Sequence, residues 1–284
     1  MTAAPAGLRL PRLTNLVRRL VDEWNRLGSQ TAFYVRALGF VWEAVVRYKV
    51  ETLRLIANMS LGVGALAVIG GTVVIVTTLT MSVGGLVAIQ LFRSLSDVGV
   101  QALSGFASAY INTRLAAPLV ACIGLAATIG AGATAQLGAM RINEEIDALE
   151  VMGIRTITYL VSTRVVAGVV VTVPLWCMAS LAGYMATRTL VIFAYGQAPG
   201  VYDHYFHTYL QPTDLIWSML QVIGTATSIM LVHTYYGFNA SGGPAGVGEA
   251  VGRAVRASLV VAVAVTLAVA MAAYGVSGDF NLSG

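Results

Sequence analysis

Residues 115–154 read LAAPLVACIGLAATIGAGATAQLGAM followed by RINEEIDALEVMGI. The first part, Leu115 to Met140, holds no Asp, Glu, Lys or Arg, whereas the second packs five such residues into fourteen. A helix rises about 1.5 Å per residue, so about 20 apolar residues cross the hydrocarbon core of a bilayer. The charge-free part therefore reads as a membrane span near residues 115–138. Four further charge-free runs, 55–92, 165–187, 215–248 and 257–278, are long enough for the same purpose. They place spans near 59–81, 163–187, 215–237 and 257–277. Residues 98–113 and 189–202 are also uncharged but shorter, and read as interfacial or partly inserted segments. The fold class this predicts is an all-α integral membrane protein with five transmembrane helices.

Composition leads to the same class. Of 284 residues, 57% are hydrophobic and 11% charged, and the mean hydropathy is +0.77. A soluble domain carries about 25% charged residues, so this chain lacks a polar skin for the cores its length would require. A soluble enzyme, a disordered chain and a disulfide-stapled secreted module are excluded. Cys122 and Cys177 fall inside spans and read as small packing residues. No apolar stretch follows Met1 to Gly7 closely enough for a signal peptide.

Residues 1–57 hold nine Lys/Arg and four Asp/Glu, and residues 58–284 hold eight and nine. The net charge of +4 thus comes from the first fifth of the chain. These cations are interleaved with Trp, Val and Leu beside apolar spans, a pattern suited to an anionic lipid surface rather than to nucleic acid. With five spans the termini lie on opposite sides. A cytoplasmic N-terminus puts 14 of 17 Lys/Arg inside and leaves only Arg93, Arg114 and Arg188 outside, as the positive-inside rule requires. The expected location is the inner (plasma) membrane, multi-pass, with the C-terminus outside.

The chain divides into an arm, 1–57, and a membrane domain, 58–284. In the arm, Val17, Leu20, Val21, Trp24 and Leu27 share a helical face opposite Arg18, Arg19, Asp22, Glu23 and Arg26. Residues 32–56 repeat the pattern, with Arg36, Glu43, Arg47, Glu51 and Arg54 opposite Val35, Leu38, Trp42, Val45, Val46 and Leu53. A charged face against a Trp-bearing apolar face predicts helices lying in the membrane interface. A small soluble bundle packed under the membrane is the alternative.

Ionisable groups within spans are costly and usually functional. Here they are nearly missing; His233, near the end of the fourth span, stands out. No carboxylate is placed for ion coupling, and a polar channel lining is missing too. A cavity among these spans would suit an apolar cargo, although no lining residue can be named. In the second span Ala127, Ala131 and Ala135 stand four apart, as do Ala126 and Gly130, and such rows let helix backbones approach closely. They read equally as a subunit interface or gate and as packing within one chain.

The acidic stretch 141–153 is a different object. Ile142, Ile146 and Leu149 fall at i, i+4, i+7, Glu144, Asp147 and Glu150 share another face, and Gly153 is a natural stop. This predicts a short amphipathic helix hung between two spans, able to set its apolar ridge in a partner's groove with the acids as a specifying rim. A solvated charged loop is the bland alternative. Acid–base chemistry lacks a substrate pocket there, and a metal site lacks His or Cys. No G-x-x-x-x-G-K-[ST] occurs and Lys49 is the only lysine, so any ATPase is another chain. His204 and His207, in Asp203-His204-Tyr205-Phe206-His207, read as part of a packed or partner-facing aromatic turn rather than a metal site.

The run from Gly130 through Thr163, with Gly132-Ala133, Leu137-Gly138-Ala139-Met140-Arg141 and Glu145 through Gly153, resembles the signature of the MlaE/YrbE permease family. Its members are membrane subunits of lipid-transporting ABC systems of the Mla and Mce type. The resemblance covers about residues 45–280, and Gly242 through Gly252 is similar to the YrbE branch of actinobacterial Mce operons, the B-type paralogue. It implies an interfacial N-terminal helix, five spans and a coupling helix at 141–153. By position, Glu144, Glu145, Ile146, Asp147, Leu149, Glu150 and Met152 would contact a cytoplasmic ABC ATPase. It further implies a second YrbE-type permease in a heterodimer, periplasmic Mce proteins and a lipid substrate. ATP and Mg would sit on the partner ATPase, with no cofactor, metal or catalytic residue on this chain. The cargo expected is a sterol, fatty acid or related lipid, imported. A phospholipid-trafficking permease and a non-transporting scaffold for Mce proteins and an ATPase are the alternatives. The sequence departs from the family at Gln136, where many members have Glu, and at Glu145, where Gln is frequent, so no charge-dependent role falls to Gln136.

Overall fold

The computed structural model describes residues 25, 28–61 and 67–274. Among them every regular element is helical. Residues 28–39 form α1, followed by α2 (Val41–Arg47), α3 (Lys49–Leu61) and α4 (Ala67–Asp97). A long helix is then built from α5 (Ser104–Ile111), α6 (Ala117–Leu125) and α7 (Ala131–Ile142), joined by π-turns at Asn112–Ala116 and Ala126–Gly130. The remainder comprises α8 (Glu145–Val151), a π-turn Ile157–Ser162 leading into α9 (Thr163–Phe193), α10 (Pro199–Tyr209), α11 (Pro212–Phe238) and α12 (Gly243–Tyr274).

Five helices are long and apolar enough to cross a membrane: Gly71–Asp97, Gln101–Ile142, Ile157–Phe193, Pro212–Phe238 and Gly243–Ala272. The number agrees with the sequence reading, and the fourth span nearly coincides with it. The first extends beyond the expected 59–81, to Asp97. Residues 98–113, expected as a separate interfacial segment, belong largely to the second helix, and residues 238–256, expected as a loop, mostly form the start of α12. Residues 189–202 divide between the end of α9 and the start of α10. These helices run for 27 to 42 residues, more than the roughly 20 that cross the hydrocarbon, so charge marks the edge of an apolar stretch rather than the end of its helix.

Pro118 explains one irregularity. It has no N–H for the preceding turn, and the π-turn before it leaves the Thr113 carbonyl to accept from the Ser218 hydroxyl at 2.7 Å. Ser218 in turn accepts from the Trp176 indole at 3.0 Å. A second cross-link joins three spans: Thr134 Oγ1 lies 2.8 Å from His233 Nδ1, and His233 Nε2 lies 3.1 Å from Ser258 Oγ. Gly130 faces this ring so closely that an added Cβ would lie 2.6 Å from His233 Cδ2. A third runs from Asn112 Nδ2 to Thr187 Oγ1 at 3.0 Å, and from Thr187 Oγ1 to the Gly84 carbonyl at 2.9 Å. Around these lies an apolar core of small residues, including Ala117, Ala121, Ala126 and Ala179. At the end bearing α10, Arg114 and Asp214 form a half-buried ion pair at 2.8 Å, and Arg188 pairs with Asp203 at 2.8 Å.

Four sequence expectations change. Arg164, at the edge of the third expected span, is buried, which makes it a second ionisable group of the interior besides His233, and it donates to the Leu160 carbonyl at 2.9 Å. Cys177 is exposed, whereas Cys122 is buried as expected. Residues 17–24, Arg26 and Leu27 of the arm lie outside the described residues. The rest of the arm has three faces, not two. Val35, Trp42, Val46 and Leu53 are exposed, as a lipid contact requires, while Phe33, Ala37, Ala44 and Leu55 are buried against the chain itself. Nor does α3 lie flat across the bundle. The Tyr48 ring meets Tyr159 at 5.2 Å, and Met59 lines a cavity with Val171. From Tyr48 to Met59 a helix rises about 17 Å and from Tyr159 to Val171 about 18 Å, so α3 climbs beside α9.

Candidate functional site: the acidic helix and its seat

The chain leaves α7 at Asn143 and reverses at Glu144, the one described non-glycine residue with positive φ, at 59°. That conformation is uncommon for a residue with a side chain, and it turns α8 back under the bundle. Glu145 and Asp147 occupy the first turn of α8, where carboxylates complement the unpaired N–H groups. The helix stops in a Schellman motif. Gly153, at φ 77°, donates to the Glu150 carbonyl at 2.9 Å and Ile154 donates to the Leu149 carbonyl at 3.0 Å. A left-handed residue is required at that position, which is why a glycine stands there.

Ile146 decides how α8 sits. It is fully buried with Leu137 and Leu160, from the two flanking spans, and Met140, Leu149, Tyr159 and Phe238 pack around it. The ridge expected to enter a partner's groove is thus spent on fixing α8 to its own chain, and Ile146 is an anchor rather than a contact residue. The face presented outward consists of Glu144, Glu145, Asp147, Ala148, Glu150, Val151 and Met152, with Val151 88% and Met152 66% exposed. Val151 was missed by the sequence reading, which sought a single apolar ridge. Ala148, Val151 and Met152 at i, i+3, i+4 were the available signal for a second one.

The acids are held in place. Arg141 pairs with Asp147 at 2.6 Å, Thr156 donates to Glu150 at 2.9 Å, and Asn143 donates to Glu145 at 3.4 Å. Such exposed contacts contribute little stability, but they leave Glu144 and Glu145 as the acids least engaged within the chain. The segment after α8 is tied to the arm. Arg155 pairs with Glu43 at 3.0 Å and sits over the Phe40 ring at 5.7 Å, and Ser162 donates to the Ala37 carbonyl at 2.8 Å. Between α8 and the arm opens a groove of about 320 Å³ lined by Phe40, Glu150, Ile154 and Arg155.

The sequence that builds these five apolar helices and the acidic helix between the second and third matches a known family. Residues 63–272 match the family model described as Permease MlaE. The chain belongs to the MlaE permease family.

This permease is 31% identical over 180 residues to Protein TRIGALACTOSYLDIACYLGLYCEROL 1, chloroplastic, of Arabidopsis thaliana, a match covering 63% of the chain and 51% of that protein. The chain therefore spans about half the length of that relative. A probable ABC transporter permease protein of Rickettsia felis is 25% identical over 241 residues, 83% of the chain and 92% of that protein. Another from Synechocystis is 26% identical over 178 residues, 63% and 68% of the two chains.

In this MlaE permease the small residues of the second span separate into two groups. Gly130 and Ala126 are buried inside the chain, Gly130 against His233, which is packing within one subunit. Ala127 is exposed and Ala131 and Ala135 are half-buried, with Gln136 exposed on the following turn. Among the described residues no three His, Cys, Asp or Glu side chains gather as metal ligands would. The rings of His204 and His207 lie against Tyr205 and Phe206.

Proposed function

We propose that this chain is the permease subunit of an ABC transporter that moves an apolar lipid across the inner membrane, driven by a separate ATPase carrying ATP and Mg. The observation that carries this reading is α8: a short acidic helix, anchored by Ile146 and closed at its C-terminus by a Schellman motif, whose Glu144, Glu145, Val151 and Met152 face outward. A helix fixed this rigidly between two spans transmits a push from a docked partner into both spans at once. The Arg-rich arm at the same end favours a cytoplasmic position for α8, with α10 outside. The relative named for trigalactosyldiacylglycerol supports a lipid as cargo, and the small number of charges in the spans supports an apolar one. On this reading a second YrbE-type permease completes the membrane core, with Ala127, Ala131 and Ala135 at the contact, and Mce proteins seat at the α10 end. The cargo is a sterol, fatty acid or related lipid, and the direction is import.

The test uses the outward face and spares the anchor. Val151→Asp with Met152→Asp should release the ATPase on purification and abolish lipid-stimulated ATP hydrolysis, while the permease still assembles in the membrane. A variant that keeps full ATPase association and coupling refutes the role of α8. A complex that binds ATPase but moves no labelled lipid makes the chain a scaffold.

A further inference from the structure

Where the end of α3 meets the start of α4, both face α9 across a cavity of about 150 Å³. Its floor is Ile129, Val171 and Leu175, each less than a tenth exposed, and its rim includes Ser60, Pro174 and Met178, all exposed. Two backbone irregularities border it. Ile129 belongs to the π-turn Ala126–Gly130, and Pro174 interrupts the hydrogen-bond ladder of α9; departures from a regular helix hold open space that straight helices would close.

The position of the mouth selects the occupant. Pro174 lies one residue from the midpoint of the apolar helix Ile157–Phe193, so where that helix crosses a bilayer the rim faces acyl tails rather than headgroups. The floor is wholly hydrocarbon, and the Ser60 hydroxyl at the rim already donates to its own Ala57 carbonyl at 3.3 Å. Thr72 is the other hydroxyl of the lining, and among the described residues no charged or amide side chain borders the cavity to take a headgroup. A dry apolar cavity of this size holds one small hydrocarbon group, the dimension of the end of an acyl tail. Met59 and Met178 at its sides are flexible enough to adapt to such a chain.

We propose that this cavity binds the terminal segment of one acyl tail from a bilayer phospholipid, as a resident ligand that fills the junction between arm and membrane domain. The tail enters between Pro174 and Met178 and ends on Ile129, Val171 and Leu175. The site needs only that α4 and α9 lie in a membrane, not that the chain moves lipid, so the two readings fail separately.

The test is photolabelling of the assembled complex in phosphatidylcholine vesicles doped with a phospholipid bearing a diazirine near the tail end, without ATP. Adducts are expected on Val171, Leu175 and Ile129, as well as on the exposed Leu181 and Met185 of the same helix. Met178→Trp, at the exposed rim, should abolish the floor adducts and leave those at Leu181 and Met185. Val171→Phe should do the same from the floor, so that misfolding of either variant alone does not decide the outcome. Floor residues unlabelled while Leu181 and Met185 are labelled would overturn the proposal. So would floor labelling indifferent to both substitutions, labelling that appears only when ATP is hydrolysed, or capture of a diazirine sterol in place of the tail.

Discussion

Gly130→Ala tests how tightly three spans are joined. The new Cβ would lie 2.6 Å from His233 Cδ2 and 2.8 Å from Nε2. Ordinary contact begins near 3.4 Å, so the ring must retreat by about 0.8 Å, the difference between 3.4 and 2.6 Å. It is held from both sides, by Thr134 at 2.8 Å and Ser258 at 3.1 Å, and a shift of that size takes at least one of these past hydrogen-bonding distance. Interhelical hydrogen bonds in membranes contribute about 0.6 kcal/mol each on average, and overpacking a closed core costs about 1–3 kcal/mol. The expected loss is therefore about 1–3 kcal/mol. Gly132, two residues on, has no neighbouring atom within 4 Å, so Gly132→Ala gains up to about 1 kcal/mol of helix propensity without a clash. Unfolding of both variants in mixed micelles by denaturing detergent gives the comparison. Equal stabilities, or a less stable Gly132→Ala, would refute the packing argument.

Other parts of the fold give further expectations. Ser218→Ala leaves the Thr113 carbonyl and the Trp176 indole N–H without their buried partner and should cost about 1–3 kcal/mol in the same unfolding assay; Ser228→Ala, at a half-buried serine of α11 whose hydroxyl bonds its own helix, should be nearly neutral. Glu43→Arg should weaken the hold of the arm on the segment after α8 by at most about 1 kcal/mol, the scale of an exposed pair. Adding Arg155→Glu should restore it, read as protection of residues 37–44 from hydrogen exchange. Arg188, hydrogen-bonded to Asp203, holds that carboxyl below its ordinary value of 3.8. The contribution of the pair is then fully present above about pH 4 and is lost only as pH falls through the lower, folded value. Asp203→Asn should therefore lower thermal stability equally at pH 6 and pH 8, and the gap to the parent chain should close under strongly acidic conditions.

The spans were legible because a membrane removes charge from about 20 consecutive positions at a time. Their ends were not, because outside the hydrocarbon a helix tolerates Arg93, Asp97 or Arg253 without breaking. The start of α12 was hidden by its glycines. Gly242 and Gly243 do adopt positive φ, but Pro244 next to them is well suited to a first helical turn, and the helix runs on through Gly246, Gly248 and Gly252. At α8 the acids and the stop at Gly153 could be read directly. The buried face could not, since Ile146 is chosen for burial by Leu137 on one span and Leu160 on the next. In the same way nothing local to Gly130 announces His233, about a hundred residues away.

The buried polar side chains bear on how such a bundle could move. Thr134, His233 and Ser258 tie α7, α11 and α12 together, Ser218 ties α11 to α9 and to the π-turn before α6, and Asn112 and Thr187 tie that turn to α9 and to the second half of α4. Each bond is weak, but each also has a direction, and a slip of one residue in any helix would leave its partners unpaired in a medium without water. The set therefore fixes helix register more than it adds stability. Among the described residues none of these cross-links reaches α3 or the first half of α4, which meet the bundle mainly through apolar contacts, with Glu51 facing Arg164, and across an open cavity. Apolar surfaces have no register to lose when they slide. Tied to the segment after α8 through Glu43 and Arg155, the arm is the element to which a displacement of α8 passes with least resistance, while the cross-linked helices move as one body.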